Sequence, residues 1–173
     1  MEEDQAILEA LIFSSENPLS IERMRDVLPH RERQEILHFL QNLAASFAER
    51  QGGFLLREIA GGWQFYSRPD LAAWIRKLRA GRPQMLSPAA LETLAVIAYR
   101  QPVVKADIDR IRGVDVGGTL KGLLEKRLVR MVGRKDVPGK PMLYGTTKRF
   151  LEVFQLRDLS ELPTLTELKE IRT

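Results

Sequence analysis

The stretch of the chain that decides the fold is residues 87–113, which read SPAALETLAVIAYRQPVVKADIDRIRG. Ser87 followed by Pro88 is a typical helix start, because serine caps free N–H groups and proline is tolerated at the first helical position. Pro102 interrupts the helix, and the apolar residues that follow predict a second, shorter helix that ends at Gly113. The spacing places these residues on the core side of the first helix: Leu91, Leu94, Ala95, Ile97 and Ala98.

Downstream of Gly113 the pattern predicts one more helix and then a hairpin. Leucines recur at helical spacing up to Leu128, and two strands, 128–132 and 142–147, enclose a basic loop at 133–141. A last short helix is predicted over 150–156. Two helices joined by a tight turn and followed by a two-stranded hairpin are typical of a winged-helix domain.

The first half of the chain predicts the same order of elements. Three helices precede Gly52-Gly53, where we expect a glycine to adopt the left-handed conformation at a helix end. Gly61-Gly62 predicts a two-residue hairpin turn, and residues 71–78 a closing amphipathic helix. We therefore predict a mainly α (α+β) fold with two tandem winged-helix domains: residues 1–80, a linker at 81–86, residues 87–158 and a tail at 159–173.

Composition excludes several classes of protein. The 173 residues include no cysteine, which removes disulfides, thiol nucleophiles and thiolate zinc sites. No apolar run is long enough to cross a membrane, and the acidic start differs from a secretory signal, so we expect a cytoplasmic protein. Residues 1–86 carry 11 basic and 12 acidic side chains, whereas residues 87–173 carry 16 and 11. The second half is the basic one, which an anionic partner or a solvated surface would explain.

We find no candidate active site, and we predict no catalytic residue, cofactor or metal. His30 and His38 are too far apart in sequence for an i,i+4 metal pair. The loop at 133–141 resembles a phosphate-binding loop only superficially. Five residues, rather than four, lie between its glycines, a proline replaces the hydroxyl that would bind magnesium, and a strand follows.

The alternative function is that of a winged-helix transcriptional regulator that binds DNA. The first residues of the third helix of the second half, 116–119, offer one hydroxyl and no side chain for bidentate base contacts. In the first half, Arg31 and Arg33 could read bases, but Glu32 and Glu35 interleave with them. Arg134, Lys135 and Lys140 could make non-specific phosphate contacts, and a solvated loop is the competing interpretation.

The predicted hairpin of the first half has more apolar side chains than one face can bury. We therefore hypothesise that the first domain self-associates through this hairpin. The competing interpretation is that the extra side chains fill the core against the helix that carries Trp74. The candidate dimer residues are Leu55, Ile59, Trp63, Phe65 and Tyr66.

The chain resembles the segregation and condensation protein B family over nearly its whole length, and the similar segments follow one another in the same order. The family's arginine is frequent where this chain has Lys140, and its acidic C-terminal extension is missing or shortened here. The segments that carry the resemblance are 9–13, 18–20, 61–65, 86–103, 111–114, 124–129, 133–141, 143–147, 150–151 and 159–165.

The resemblance implies two winged-helix domains and a non-enzymatic role in bacterial chromosome condensation and segregation. It implies a homodimer, formed chiefly by the N-terminal domain, that binds the kleisin subunit (segregation and condensation protein A, ScpA) largely with its C-terminal domains. The kleisin in turn bridges the heads of the SMC ATPase. Our candidates for the partner contact are Tyr99, Gln101, Pro102 and Val103, whose other role would be to shape the turn into the next helix.

Overall fold

The computed structural model describes residues 2–78, 85–164 and 167, and these fall into two compact units. Unit 1 lies within Met1–Gly81 together with Gln155–Thr173, and unit 2 is Arg82–Phe154. Most of the predicted linker and the end of the predicted tail lie outside the described residues. Residues 155–158, placed in the second domain from the sequence, group with unit 1: the Ala60 amide donates to the Leu156 carbonyl at 2.9 Å.

Unit 1 contains helices, one hairpin and two short 3-10 turns. The second helix of unit 1 is capped by Ser20, whose Oγ accepts from the Arg23 amide at 3.4 Å. The elements are α1 (Glu2–Ser14), α2 (Ile21–Val27), α3 (Arg33–Glu49), β1 (Phe54–Ile59), β2 (Gly62–Ser67), a turn at Pro69–Leu71, α4 (Ala72–Leu78) and a turn at Leu159–Glu161.

The core of unit 1 lies among α1, α2, α3 and the inner face of the hairpin. The left-handed residue after α3 is Gln51 (φ 50°), so the prediction of a glycine there was wrong. The buried apolar side chains that form this core are Leu8, Ile12, Ile21, Met24, Leu28, Ile36, Leu40, Leu43, Phe47, Leu56 and Trp63.

The turn of the β1–β2 hairpin is one residue earlier than predicted. Ile59 pairs with Gly62, and the two turn residues are Ala60 (φ 52°) and Gly61 (φ 72°). Gly62 begins β2, where a Cβ would lie 2.7 Å from the Pro18 backbone. This close approach follows from the backbone pairing of Leu19 with Trp63, at 2.9 and 2.8 Å.

Unit 2 has the same order of helices and hairpin and adds a short strand. Its three-stranded sheet has the order β3-β5-β4, with both pairs antiparallel. The Ser87 cap is confirmed by its bond from the Ala90 amide at 3.2 Å, and Gly113 (φ 70°) ends α6 as predicted. The elements are α5 (Pro88–Arg100), β3 (Val103–Val104), α6 (Lys105–Arg112), α7 (Gly117–Glu125), β4 (Val129–Arg134), β5 (Met142–Thr146) and α8 (Lys148–Phe154).

The architecture is therefore mixed α+β, as predicted at that level. The core of unit 2 lies between α5, α6, α7 and the starts of the strands, where Leu94, Ile97, Ile108 and Leu123 are fully buried. Within the described ranges, no helix combines the length and the apolar character that a membrane crossing requires.

Candidate protein-interaction surfaces

Helix α5 turns apolar side chains toward solvent. Its buried side is centred on Leu94 and Ile97, and a row of residues four positions apart along the flank of that side is exposed. These are Leu91 (43% exposed), Ala95 and Tyr99 (37% exposed), which we call the α5 stripe. The prediction that Leu91 and Ala95 belong to the core was wrong. An apolar stripe on the outside of a helix is unusual unless another surface covers it.

The four predicted partner contacts follow one another at the end of α5 but differ in exposure. Tyr99 and Pro102 lie at the surface. Val103 is only 6% exposed because it pairs with Tyr144 of β5, so placing it on a contact surface was wrong. The Gln101 amide is engaged inside unit 2.

Gln101 connects the end of α5 to β5 through three hydrogen bonds. Its Oε1 accepts from the Thr146 amide at 2.7 Å and from Thr146 Oγ1 at 3.0 Å, and its Nε2 donates to the Ala98 carbonyl at 3.1 Å. A Cβ at Gly145 would lie 2.9 Å from this Oε1, so glycine leaves room for the amide. Gln101 therefore positions the turn after α5, and this is the second role that the sequence left open.

The β1–β2 hairpin has an inner face and an outer face. On the inner face Phe47 of α3 stacks on Phe54 and Phe65, with ring centroids 5.4 and 5.0 Å away. Trp63 is on the same face and belongs to the buried core of unit 1, and the half-buried Phe65 packs against that core.

Two of the five predicted dimer residues remain accessible on the outer face. Leu55 lies opposite Tyr66 across the strands, and both are half-buried. Ile59, on the same face, is fully buried. Placing Ile59 and Trp63 on an accessible dimer surface was therefore wrong, whereas Phe65 is half-buried on the inner face.

Helix α4 has no buried residue, although its sequence is amphipathic. Trp74 is 67% exposed, and its ring carries the Lys77 ammonium group at 4.6 Å from its centroid. The competing interpretation was that the extra hairpin side chains fill a core against this helix. The buried hairpin side chains Leu56 and Trp63 instead pack with α1, α2 and α3. On the apolar side of α4, Trp74 and Leu78 are exposed and Ile75 is half-buried.

The N-terminus of α7 is already occupied by carboxylates. Asp109 accepts from the Val116 amide at 2.9 Å and Asp115 from the Gly117 amide at 3.3 Å, and Lys105 bridges both carboxylates. The hydrogen bond from Lys105 is the main cause that lowers the pKa of Asp109 and of Asp115, so both are charged at neutral pH. Two negative charges at the end of a helix that would enter a DNA groove repel phosphate.

The hairpin formed by β4 and β5, which we call the wing, is fully exposed over residues 130–140. Its tip is closed by the Lys135 amide, which donates to the Pro141 carbonyl at 2.9 Å. Arg134 Nη1 donates across the strands to the Lys140 carbonyl at 3.2 Å. The three predicted phosphate contacts therefore lie together on one exposed hairpin.

A cleft of about 670 Å³ in unit 2 is open, and its charged lining residues are Glu125, Lys126 and Arg149. Within 2–78, 85–164 and 167, no group of three His, Asp or Glu side chains could hold a metal ion. The imidazole of His30 pairs with Asp4 at 3.1 Å, and that of His38 with Asn42 at 3.1 Å.

The comparisons with known proteins give one consistent result. The sequence profile described as "Segregation and condensation complex subunit ScpB" matches residues 6–165. Segregation and condensation protein B of Syntrophotalea carbinolica is 50% identical over 96% of this chain and 84% of that protein. The resemblance seen in the sequence is thereby confirmed.

Two solved structures are also similar. ScpB from Mycobacterium tuberculosis is 33% identical, with a TM-score of 0.43 over 88% of this chain and 95% of that one. A dimer of the ScpB N-terminal domain complexed with ScpA peptide is 24% identical, with a TM-score of 0.42 over 45% of this chain and 96% of that one. Since both TM-scores are below 0.5, the assignment rests on the sequence matches: this chain belongs to the family of the segregation and condensation complex subunit ScpB.

Proposed function

We propose that this protein is a non-enzymatic accessory subunit of a bacterial SMC condensin complex. In this proposal it binds the kleisin ScpA as a homodimer and acts in chromosome condensation and segregation. The observation that carries the proposal is the family match over residues 6–165, together with 50% identity to a curated relative along 96% of the chain. A place in the cytoplasm, at the nucleoid and linked to the SMC ATPase through the kleisin, follows from the same role.

Each unit is proposed to be a winged-helix domain. Support comes from the order of helix, helix, helix and hairpin, which occurs in α1–β2 and again in α5–β5. In both units the second and third helices are joined by a few residues, as in helix-turn-helix proteins. The proposed domains follow the sequence boundaries, residues 1–80 and 87–158, with residues 155–158 packed on unit 1.

The proposed kleisin contact is the α5 stripe with Pro102 beside it. Protein-binding surfaces concentrate their energy in a few apolar or aromatic anchors surrounded by polar groups. Leu91 and Tyr99 are the large anchors here, and Glu92, held by the Arg112 guanidinium, is the polar group beside them. The stripe favours an amphipathic kleisin segment that lays apolar side chains along α5.

The proposed dimer contact is in unit 1. Its outer hairpin face offers Leu55 and Tyr66, and α4 offers Trp74 and Leu78. Single exposed apolar side chains are normal on a monomer, but two accessible apolar surfaces on one small unit indicate an interface. A second copy of this chain, presenting the same surfaces, would cover them symmetrically.

The test of the proposed partner uses the full chain and the kleisin subunit of the same genome. At 0.3 M salt the Debye length is about 6 Å, so contacts between exposed charges are screened and an apolar contact persists. We expect the two proteins to elute as one stable complex. Leu91→Ala should weaken the affinity at least 10-fold, equivalent to about 1.4 kcal/mol, while Leu11→Ala, a half-buried leucine of α1, serves as the matched control. No complex with the wild-type chain would refute the proposed function.

The test of the dimer is sedimentation of the full chain alone at tens of micromolar. We expect twice the mass of the chain, and a shift toward the monomer for Trp74→Ala combined with Leu78→Ala. Phe13→Ala, another exposed apolar residue of unit 1, is the control. A wild-type chain that sediments as a monomer would refute the homodimer and leave the kleisin contact to be judged separately.

A transcriptional regulator that reads DNA sequence is not favoured by any observation here. The carboxylates of Asp109 and Asp115 occupy the N-terminus of α7, where such a protein presents donors to the bases.

A further inference from the structure

The cations of unit 2 divide into two groups by their ion pairs. Between Lys105 and Arg149, five cations have a carboxylate partner within 4.0 Å. Seven others have none among the described residues, and every one of them is exposed. These are Lys126, Arg127, Arg130, Arg134, Lys135, Lys140 and Lys148.

Arg100, at the end of α5, is the other described cation of unit 2 without an ion pair, and the seven cations are contiguous along the chain. They all lie between the end of α7 and the start of α8, a segment that consists mainly of the wing. Residues 126–148 hold these seven cations and one carboxylate, Asp136, which gives a net charge of +6. The helical part of unit 2 neutralises its own charge, whereas the wing does not.

We propose that the wing binds duplex DNA through its phosphate backbone, without reading sequence. A two-stranded hairpin fits a DNA groove, and an array of unpaired cations displaces the counterions condensed on the phosphates. Arg134 and Lys140 are held next to each other across the strands, which fixes part of the array before binding. The inference goes beyond the proposed function, because a kleisin-binding subunit needs no nucleic acid contact of its own.

The geometry limits this contact to the wing. The N-terminus of α7 carries the carboxylates of Asp109 and Asp115, so this helix does not approach a phosphate end-on. If Arg134, Lys135 and Lys140 each neutralise one phosphate, they contribute about −2.7 to the slope of log K against log salt. Between 50 and 200 mM salt this amounts to about a 40-fold loss of affinity.

The experiment measures fluorescence anisotropy of a labelled 30-base-pair duplex with the full chain between 50 and 200 mM salt. The wing variant is R134Q/K135Q/K140Q. The control is R23Q/R25Q/R76Q, which removes the same charge from exposed cations of unit 1 that have no ion pair. We expect the wing variant to lose about 2.7 of the slope and the control to keep the wild-type slope.

A second variant separates the charge from the shape of the hairpin. Lys135→Gln leaves the hydrogen bond between Arg134 and Lys140 intact. It should reduce the magnitude of the slope of log K against log salt by about 0.9, so that between 50 and 200 mM salt the variant loses 3- to 4-fold less affinity than the wild type. Duplexes of unrelated sequence should bind within 3-fold of one another.

Four results would overturn the proposal. They are no DNA binding at 50 mM salt, an equal loss in the control variant, a preference above 100-fold for one sequence, or wing-dependent binding to vesicles with 30% anionic lipid but not to DNA.

Discussion

The Gln101 amide gives the sharpest prediction about stability. Gln101→Ala removes two hydrogen bonds to Thr146 of β5 and one to the Ala98 carbonyl of α5, each with a net contribution of about 0.5–1.5 kcal/mol. It also leaves the amide and hydroxyl of Thr146, a residue only 9% exposed, without that partner. Because a buried donor without a partner costs about 1–3 kcal/mol, we expect a total loss of about 3 kcal/mol in the free energy of unfolding of unit 2.

The assay exploits the positions of the tryptophans. Trp63 and Trp74 are both in unit 1, so tryptophan fluorescence reports on unit 1 while far-UV circular dichroism also follows the helices of unit 2. For a unit of this size, 3 kcal/mol corresponds to a fall in Tm of about 12–24 °C. We expect this shift in the circular dichroism and an unchanged fluorescence transition.

Two variants complete the test of Gln101. Gln101→Met keeps the volume but not the hydrogen bonds, and it should cost nearly as much as Gln101→Ala. Gln41→Ala, an exposed glutamine on α3, should cost less than 0.5 kcal/mol. If Gln101→Ala costs no more in the free energy of unfolding than Gln41→Ala, the amide does not hold the turn, and Gln101 is again a candidate contact for the partner.

Three further predictions concern single residues. Gly62→Ala should destabilise unit 1 more than Gly61→Ala in urea unfolding. The Cβ at Gly62 would meet the Pro18 backbone at 2.7 Å, whereas a Cβ at Gly61 meets open space and costs only about 1–2 kcal/mol for the left-handed conformation (φ 72°); the reverse order would contradict the placement of the turn. Ser87→Ala should cost about 1 kcal/mol through loss of the α5 cap, and no change in the unfolding free energy would count against that cap. Because its pKa is lowered in the fold, ionised Asp109 contributes to the free energy of unfolding above the unfolded pKa of about 3.9, and this contribution is lost as the pH falls through the folded pKa. The free energy of urea unfolding between pH 5 and 2 should therefore depend less on pH in Asp109→Asn than in the wild type. An unchanged dependence would refute the role of Lys105.

The elements with strong local signals could be predicted from the sequence. The Ser87-Pro88 start, the Gly113 end and the order of helices and hairpin depend on capping and backbone conformation within a few residues, and the structure has them. Strand β3 could not be predicted, since two residues carry no periodicity and its pairing with β5 is non-local.

The phase of the helices was harder to predict, because two of them are apolar on more than one side. In α1 nearly every residue from Ala6 to Phe13 is apolar, and the buried ones are Leu8 and Ile12 rather than their neighbours. In α5 the sequence likewise did not show which apolar side faces the core, so the exposure of Leu91 and Ala95 could not be predicted. A helix with more apolar residues than one buried face can hold therefore indicates that a second surface covers the rest.

The pairing of charges was also beyond the sequence. Composition identified a basic second half, but the division into paired and unpaired cations depends on which carboxylates the fold brings within reach. Lys105 and Asp115 are ten residues apart and meet only because α6 and the start of α7 turn toward each other.

The most direct test of the central claim is hydrogen exchange of the full chain with and without the kleisin. If the α5 stripe is the docking surface, amides of residues 91–101 exchange more slowly in the complex, while those of the wing, 130–140, keep their free rates. Unchanged exchange along α5 in a sample that contains the complex would contradict the account.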